Sequence, residues 1–307
     1  MKKLSTLLLA SMIMATGTTS VFAEEISGKD ATVSITNALI SQEIQNVKIN
    51  NKAWLARTDI QLQMDNNMKP TLSIETVQPF HRTDTEATFY QLRVARNPQN
   101  GTTTNIGTGY RHVTDDKNTL TGVNLFYDRA WKYGHERVGL GGEYFHGLLE
   151  SRYNIYHPIS GEKLVDAISA TYEKAISGAD YEVGMPIPHM PYMKIFLQGY
   201  QWDYQYSDDV KGYKLRSEIQ VTPQLQLEVG YSHDNYVKNN QYVNLMYTLG
   251  QSGKVAMLEA GKPIIRRERW EKVDNSKRLL DKVERENDIR VERYSKQANG
   301  IIVSLTN

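Results

Sequence analysis

Side chains that could act as acids, bases or metal ligands are few in this sequence, and they form no known catalytic pattern. The 307-residue chain has seven histidines but no H-E-x-x-H pair, no G-x-S-x-G motif and no P-loop. His233 and Asp234 are adjacent at the end of a predicted strand, where a hydrolase could hold its acid and base. A loop histidine beside an aspartate is ordinary, however, and His135 with Glu136 is an equally weak metal-binding pattern. We therefore predict no enzyme activity, no metal and no cofactor.

The composition excludes several other classes of protein. The sequence contains no cysteine, which rules out disulfide frameworks, thiolate zinc sites and cysteine nucleophiles. Its 36 Lys and Arg residues balance 35 Asp and Glu residues, so the net charge of +1 gives no support for binding to nucleic acid. The chain has 19 tyrosines against 6 phenylalanines, and 21 glycines. This bias is more typical of a protein with many strands that expose one face to water than of a protein with a fully buried globular core.

The N-terminus has the layout of a secretory signal peptide. Lys2 and Lys3 precede a short apolar run from Leu4 to Ala15, and Val21-Phe22-Ala23 provides a small-residue cleavage site. About twelve apolar residues are too few to cross a hydrocarbon core of about 30 Å, which argues against a transmembrane anchor. We assign residues 1–23 to the signal peptide and expect cleavage near Ala23, so the mature chain is predicted to be exported.

A change in hydrophobic period marks the domain boundaries. Between residues 24 and 57 the apolar spacing is loosely helical, and we predict a short periplasmic helical segment there. From residue 58 to residue 249 apolar and polar residues alternate, as they do in half-buried strands. The pattern predicts twelve strands, at about 58–64, 70–80, 87–96, 104–113, 120–130, 136–146, 149–157, 178–186, 193–204, 212–221, 224–233 and 241–249.

Alternation alone does not distinguish a membrane barrel from a soluble β-sandwich, because the strands of both have one apolar face. The connections favour the barrel, since short turns such as 147–148 and 222–223 lie at one end of the strands and longer loops such as 158–177 and 235–241 at the other. The even number of strands and the export signal agree with this. We predict an all-β fold, a twelve-stranded antiparallel transmembrane outer-membrane β-barrel, and keep a secreted sandwich as the alternative.

In a closed barrel, the polar face of the strands lines the pore. Asp128, Arg137 and Glu143 fall by parity on one side of adjacent strands, where they could form cross-strand ion pairs. Gly139 and Gly141 share that face and leave room for a bend or a threaded segment. A polar pore wall and a network that holds a plug both explain this set. The predicted pore-lining residues are Asn124, Asp128, Arg137, Gly139, Gly141, Glu143, Arg152, Lys214, Arg216, Glu218 and Glu228.

Residues 250–307 differ in kind from the predicted barrel. Between Arg266 and Arg293, 18 of 28 residues are charged, and the face of a solvated helix explains most of these charges. With an even number of strands, both ends of the barrel lie at the same rim, so a segment after the last strand can reach the other side only through the pore. We therefore predict that 250–307 is a helical or extended linker that threads and plugs the pore.

The motif from Asn124 to Asp128 (NLFYD), followed by GHERVGLGGEY from Gly134 to Tyr144, resembles the translocator domain of the intimin/invasin family, the inverse autotransporters. Two flanking motifs agree in order, GYRH before it and YHPIS after it. Near the end of the chain, VERENDI resembles the post-barrel linker of that family. The resemblance covers about residues 35–305. The residues that carry the linker motif are Val283, Glu284, Arg285, Asn287 and Ile289.

The resemblance implies a short periplasmic helix, a twelve-stranded barrel in the outer membrane of a Gram-negative cell, and a linker that re-enters the pore and leads to an adhesive passenger. The implied partners are outer-membrane lipid, the barrel-assembly machinery, periplasmic chaperones, and a passenger or a host-surface receptor. We expect no peptidoglycan-binding module between the signal peptide and the barrel and no passenger after the linker, and thus a short or passenger-less translocator and anchor. The alternatives are a stand-alone surface-loop adhesin or pore-forming protein and, more remotely, a barrel hydrolase.

Overall fold

The computed structural model of the protein describes residues 52–66, 69–99, 101–250, 253–297 and 300–303. The predicted signal peptide, and the predicted periplasmic segment up to residue 51, lie outside these residues. The described chain begins with one helical turn, α1 (Lys52–Leu55), which leads directly into the first strand. In the described part of the chain, no helix combines the length and the apolar character needed to span a bilayer.

Sixteen strands follow α1 in the described residues. They are β1 (Thr58–Asp65), β2 (Thr71–Arg82), β3 (Glu86–Asn97), β4 (Gly101–Val113), β5 (Thr119–Ala130), β6 (His135–His146), β7 (Leu149–Pro158), β8 (Lys163–Asp166), β9 (Thr171–Ala175), β10 (Ser177–Ile187), β11 (Met190–Asp203), β12 (Val210–Gln220), β13 (Leu225–Asp234), β14 (Asn240–Thr248), β15 (Val291–Gln297) and β16 (Gly300–Val303).

Twelve of these strands form a closed antiparallel barrel. Strands β1 to β7 pair in chain order, β7 pairs with β10, strands β10 to β14 continue the order, and β14 pairs with β1 to close the sheet. Because every barrel strand has a neighbour on both sides, the sheet itself satisfies the backbone N–H and C=O groups, as a hydrocarbon environment requires. The predicted twelve-stranded barrel is confirmed.

The two faces of the barrel wall have opposite polarity. On β5, the buried side chains of Asn124, Phe126 and Asp128 alternate with the exposed side chains of Val123 and Leu125. The barrel strands contain 8 to 14 residues, and a tilted strand needs about 9–11 to cross the bilayer. The buried polar face therefore lines the pore, and the exposed apolar face contacts lipid. Other apolar side chains on the outer face are Ile106, Leu140, Ile155, Leu197 and Leu215.

Several glycines of the barrel wall lie beneath an aromatic ring of the neighbouring strand. A Cβ atom added to Gly107 would lie 2.3 Å from the ring of Phe126, and one added to Gly184 would lie 2.0 Å from the ring of Phe196. The missing side chain lets each ring lie against the wall instead of projecting into the pore, an arrangement that also covers the exposed glycine backbone. These rings line the pore without closing it.

The connections define two ends of the barrel. The end that we call the terminal rim contains α1, the end of β14 and the turns 83–85, 114–118, 147–148, 188–189 and 221–224. At this rim Gly250 N donates a hydrogen bond to Leu55 O (3.0 Å), which places the two ends of the barrel side by side. The opposite end, the distal rim, contains the connections 131–134, 159–176, 204–209 and 235–239.

The long connection between β7 and β10 is ordered into strands, where the sequence predicted only a loop. Strand β9 pairs with β8 and with β15, and β15 also pairs with β16. The result is a four-stranded sheet at the distal rim, separate from the barrel. Strands β8 and β9 have four and five residues, too few to show a clear period of two, and β9 gains its partner from the C-terminal tail.

We predict that Leu140→Arg lowers the free energy of unfolding from lipid vesicles by about 2–4 kcal/mol, because it places a guanidinium near the bilayer midplane. The matched control is Leu164→Arg, since Leu164 is similarly exposed (52%, against 56% for Leu140) but lies on β8, outside the barrel. The control is expected to cost less than about 0.5 kcal/mol. Urea unfolding followed by tryptophan fluorescence measures both, and equal effects would show that the outer face of β6 does not contact hydrocarbon.

Candidate functional site

After β14 the chain follows the terminal rim before it enters the barrel. Main-chain hydrogen bonds tie this part of the chain to three turns of the rim: Leu258 N to Val221 O (3.2 Å), Arg266 N to His189 O (2.8 Å) and Asn275 N to Lys117 O (2.9 Å). We call residues 253–273 the rim segment. It carries the chain from β14 past the β12–β13 and β10–β11 turns to the β4–β5 turn, where the pore entrance used by the tail lies.

A single 3-10 helix, Asn275–Arg278, turns the chain into the pore. Asp274 caps this helix, and the hydrogen bonds that Ser276 donates to it hold the pKa of the Asp274 carboxyl below its ordinary value. The buried side chain of Asn275 donates hydrogen bonds to Asn118 O (2.7 Å) and Gly147 O (3.3 Å). The helix is thereby fixed to two turns of the terminal rim.

Beyond this helix the chain is extended and crosses the lumen from the terminal rim to the distal rim. The solvated helix that the sequence predicted for most of the charged stretch 266–293 does not form, and the described chain between Leu279 and Arg290 contains no helix. The first apolar residues of the crossing pack against inward-facing barrel side chains. This buried cluster contains Val77, Ala87, Phe89, Val113, Leu120, Phe126 and Phe145 from the barrel, and Leu279, Leu280 and Val283 from the tail.

Inward-facing barrel side chains make hydrogen bonds to the main chain of the tail. The side-chain amide of Gln91 accepts from Val283 N (2.8 Å) and donates to Val283 O (3.3 Å), so it pairs with both polar groups of one residue. Four further barrel side chains donate to carbonyl oxygens of the tail: Arg111 to Leu279 O (3.2 Å) and Asp281 O, Asn154 to Glu284 O (3.3 Å), Arg137 to Glu286 O (2.7 Å) and Asp288 O (3.0 Å), and Asn105 to Asn287 O (2.8 Å). The Tyr156 hydroxyl accepts a hydrogen bond from Glu286 N (2.7 Å). They supply the partners that a neighbouring strand would otherwise provide.

One buried ionic cluster joins the barrel wall to a side chain of the tail. Asp128 accepts two hydrogen bonds from Arg285, one at each carboxylate oxygen and both 2.7 Å long. The same carboxylate accepts from Arg137 (2.9 Å) and Asn105 (2.8 Å). We call these four residues the Asp128 cluster. The ionic side chains are at most 1% exposed, and the Asp128 carboxylate is the shared acceptor for the guanidinium groups of Arg137 on the wall and Arg285 on the tail.

The predicted pore-lining residues of β5 to β7 all face the lumen on the side where the tail lies. Glu143 pairs with Arg111 at 2.7 Å and 2.9 Å, and Arg152 donates to Glu182 (3.0 Å). The two predicted glycines leave space for specific groups. A Cβ atom at Gly139 would lie 2.7 Å from Arg285 Nη2, and one at Gly141 would lie 2.5 Å from Asn124 Oδ1.

The predicted residues of β12 and β13 face a different part of the lumen. Arg216 donates two hydrogen bonds of 2.7 Å to Glu182 and one of 3.2 Å to Glu228, and it also contacts Glu218. Lys214 lies with its ammonium 5.6 Å from the ring centre of Tyr242. Arg216 thus pairs with the carboxylates of its own part of the wall, and no ion pair joins it to the described residues of the tail.

An open cavity of about 990 Å³ separates this half of the wall from the tail. The tail contributes one side of the cavity with all five residues of the linker motif, Val283, Glu284, Arg285, Asn287 and Ile289. Strands β10 to β14 contribute Lys214, Arg216, Glu228 and two tyrosines, Tyr200 and Tyr242. The tail therefore crosses the pore against β1 to β7, with Lys282 paired to Asp59 on β1, and leaves the other half of the lumen open.

At the distal rim, aromatic and acidic side chains fix the exit of the tail. The guanidinium of Arg290 lies 5.0 Å from the ring centre of Trp202, within cation–π range. The Glu292 carboxylate accepts hydrogen bonds from the main-chain N–H groups of Gln205 (2.8 Å) and Tyr206 (2.9 Å). Strand β15 then pairs with β9. These contacts anchor the tail to two distal connections.

Glu173 on β9 holds β15 by charge as well as by strand pairing. Burial alone raises the pKa of its carboxyl, but the contacts with His135 (3.2 Å) and Arg293 (2.9 Å) outweigh burial and hold the pKa below its ordinary value. A carboxylate with a lowered pKa stabilises the folded state at neutral pH, and this contribution is lost as the pH falls through the folded-state pKa.

The residues considered for catalysis have structural contacts. His233 Nδ1 lies 3.0 Å from Asn239 Oδ1, and the Asp234 carboxylate accepts a hydrogen bond from Tyr200 (2.9 Å). His135 contacts Glu173 and not Glu136. Among the described residues, no group of His, Asp and Glu side chains is arranged to hold a metal ion.

Sequence reasoning did not assign several side chains that hold the tail, among them Gln91, Asn105 and Glu150. Glu150 forms a 2.8 Å ion pair with Arg278 at the pore entrance. The alternation of side chains along each strand could have indicated them, because each is a polar residue on the inward face of its strand. Arg111 and Tyr156 lie within the motifs GYRH and YHPIS, and the sequence alone does not indicate that they bind the tail.

We predict that Asp128→Asn reduces the hydrogen-exchange protection of residues 279–290 in the folded barrel, by the equivalent of about 3–5 kcal/mol. The reason is that Arg137 and Arg285 would remain buried without their carboxylate. Glu136→Gln on the neighbouring strand is the matched control, because the Arg129–Glu136 pair is partly exposed and worth less than about 1 kcal/mol. Unchanged protection in Asp128→Asn would show that the Asp128 cluster does not hold the tail.

Residues 13–287 match the family described as "Inverse autotransporter, beta-domain". The chain is 30% identical over 178 residues to the "Putative attaching and effacing protein homolog" of Escherichia coli K12, an alignment that covers 56% of each protein. It is 29% identical over 136 residues to intimin of Citrobacter freundii, covering 43% of this chain and 13% of intimin. It is 27% identical over 183 residues to invasin of Yersinia enterocolitica, covering 58% of this chain and 20% of invasin.

The aligned region therefore spans about half of the first relative and a smaller part of the other two. A solved structure described as "Unveiling the Mechanism Behind the in-meso Crystallization of Membrane Proteins" has the same fold, with a TM-score of 0.61 and 18% identity over 77% of this chain and 99% of that chain. The family match extends over the whole barrel and most of the tail segment that crosses the lumen. The chain belongs to the inverse autotransporter β-domain family, whose members are outer-membrane β-barrels.

Proposed function

We propose that this barrel is an outer-membrane translocator and anchor that passes the polypeptide following β14 through its pore to the cell surface. The observation that carries the proposal is a row of inward-facing barrel side chains that make hydrogen bonds to the main chain of the tail. The row begins with Arg111 at Leu279 and ends with Arg137 at Asp288. A passive pore or an adhesin that acts only through its loops needs no such row. The wall is built to hold an extended chain.

Contacts to the main chain suit a translocator because they do not depend on which side chains pass. Gln91, for example, pairs with both the N–H and the C=O of Val283. Any residue except proline presents the same two groups. A pore that binds peptide groups can therefore carry successive segments of different sequence.

The anchoring part of the proposal rests on the Asp128 cluster. Arg285 is a tail residue whose side chain is bound at both carboxylate oxygens of Asp128, so this contact depends on sequence and fixes one register of the chain in the pore. Movement by one residue would separate two buried charges. Translocation would thus stop when Arg285 reaches Asp128.

The orientation follows from the proposed role. The terminal rim would face the periplasm, with the segment 24–57 there after signal-peptide cleavage near Ala23, and the distal rim would face outward. Insertion would use the barrel-assembly machinery and periplasmic chaperones.

The proposed role requires no catalytic group, and we propose that the protein is not an enzyme. The outer membrane provides no ATP, so folding of a passenger outside would have to favour outward movement.

Surface adhesion by the protein itself is the second candidate. The four-stranded sheet at the distal rim exposes Leu164 and Ile168, the latter completely. Exposed apolar side chains on an outward-facing sheet could contact a host-surface receptor.

We predict that an epitope tag placed after Asn307 is detected by antibody on intact cells, because the tail leaves the pore at the distal rim. A tag in the connection 235–239 serves as the surface control, and a tag in the turn 83–85 as the periplasmic control that needs permeabilised cells. If the tag after Asn307 is detected only after permeabilisation, the proposed translocation is wrong.

We predict that the intact protein shows a low conductance in planar bilayers and that deletion of 250–307 raises it several-fold. The tail occupies one half of the lumen, and its removal would join that space to the cavity of about 990 Å³. Deletion of 300–307 alone is the matched control, because it leaves the pore-crossing segment in place and should not change the current. An unchanged current after the longer deletion would show that the tail is not a plug.

A further inference from the structure

We propose that the rim segment, residues 253–273, is a binding site for anionic phospholipid headgroups of the membrane leaflet at the terminal rim. Hydrogen bonds place the segment at that level of the bilayer. Leu258 N donates to Val221 O (3.2 Å), and Arg266 N donates to His189 O (2.8 Å). Val221 and His189 lie in turns that each end a pair of lipid-facing strands. The segment therefore follows the boundary where the hydrocarbon core meets the headgroups.

The rim segment exposes large apolar side chains at this boundary. Leu258, Ile264 and Ile265 are 52–63% exposed, and the last two are adjacent in sequence. The indole of Trp270 is half-buried, with the guanidinium of Arg269 5.5 Å from its ring centre. Aliphatic side chains beside tryptophan and arginine are typical of segments that lie in a membrane interface.

The charge of the rim segment complements an anionic surface. It contains six basic residues and three acidic residues. Glu259 is paired within the segment, with Lys262 (2.9 Å) and with the buried Arg266 (3.1 Å). Arg267 and Arg269 are exposed and form no ion pair with other described residues. Their guanidinium groups can bind phosphate oxygens through two hydrogen bonds each, and the adjacent isoleucines can enter the interface.

A soluble protein partner would also fit an apolar and basic surface, but lipid is the occupant that the location favours. The segment borders the wall whose outer face contacts lipid, so headgroups are its immediate neighbours whatever else is present. The proposal needs only the membrane location of the barrel. It does not depend on translocation through the pore, and the tag experiment and the lipid experiment can therefore fail independently.

The absence of cysteine from the sequence allows a direct test, because Ile265→Cys provides a single site for an environment-sensitive fluorophore. The full chain is folded into phosphatidylcholine vesicles with or without about 30 mol% phosphatidylglycerol, an anionic lipid. We expect the label emission to shift to shorter wavelength and iodide quenching to fall only when the anionic lipid is present. High salt should reverse both changes.

Two charge-reversal variants separate lipid binding from a general charge effect. The double variant Arg267→Glu with Arg269→Glu should weaken the preference for anionic lipid at least about 25-fold. Each basic residue near an anionic surface contributes about fivefold, and the variant removes two of them. The control is Lys163→Glu with Lys238→Glu, which makes the same change in net charge at the distal rim and should leave the preference unchanged. Retained heat-modifiable migration on gels would show that both variants are folded.

Three outcomes would overturn the proposal. The label could stay accessible to iodide in every lipid, or the two charge-reversal variants could behave alike. The label could also become protected only in native outer-membrane vesicles and not with phosphatidylglycerol, which would assign the rim segment to a protein partner.

Discussion

The structure depends on one constraint: buried main-chain N–H and C=O groups need hydrogen-bond partners, and neither hydrocarbon nor the side of the lumen that is packed around the tail provides water for them. The closed sheet meets this requirement for the wall, with β14 joined to β1. The tail has no neighbouring strand inside the pore, so the requirement is met there by side chains such as Gln91 and Arg137. The same constraint thus explains both the closed wall and its polar inner face.

Two kinds of contact hold the tail in the pore, hydrogen bonds to its main chain and ion pairs to its side chains. Those to its main chain tolerate many sequences, whereas the pair formed by Arg285 and Asp128 requires one side chain at one position. Burial makes that requirement strict, since an unpaired charge in the lumen costs several kcal/mol. Tolerance along most of the path and selectivity at a few ion pairs, such as Arg278 with Glu150 and Arg285 with Asp128, are what a conduit that also retains its final segment needs. The half-open lumen is consistent with this division, because the retained chain contacts only part of the wall.

The fold was largely predictable from the sequence, because a period of two fixes which side chains share a face. Twelve strands, and the inward parity of Asp128 and Arg137, follow from that pattern without any structure. The path of the tail does not follow from it. Its charges look like those of a solvated helix, and Arg285 meets Asp128 across 157 residues of sequence, a separation on which local periodicity has no bearing. The distal sheet was missed for the same reason, since β9 acquires strand character largely through β15.

The pairing of β15 with β9 also has a mechanical consequence. A pull on the chain beyond Val303 acts first on the sheet outside the membrane, where β15 pairs with β9 and β16. Only after those strands separate can tension reach Arg290, between the rings of Tyr200 and Trp202, and then the buried charges in the lumen. The attachment therefore yields in stages from the distal rim inward, so tension would extend the strands of the distal sheet before it strained the part of the chain inside the bilayer.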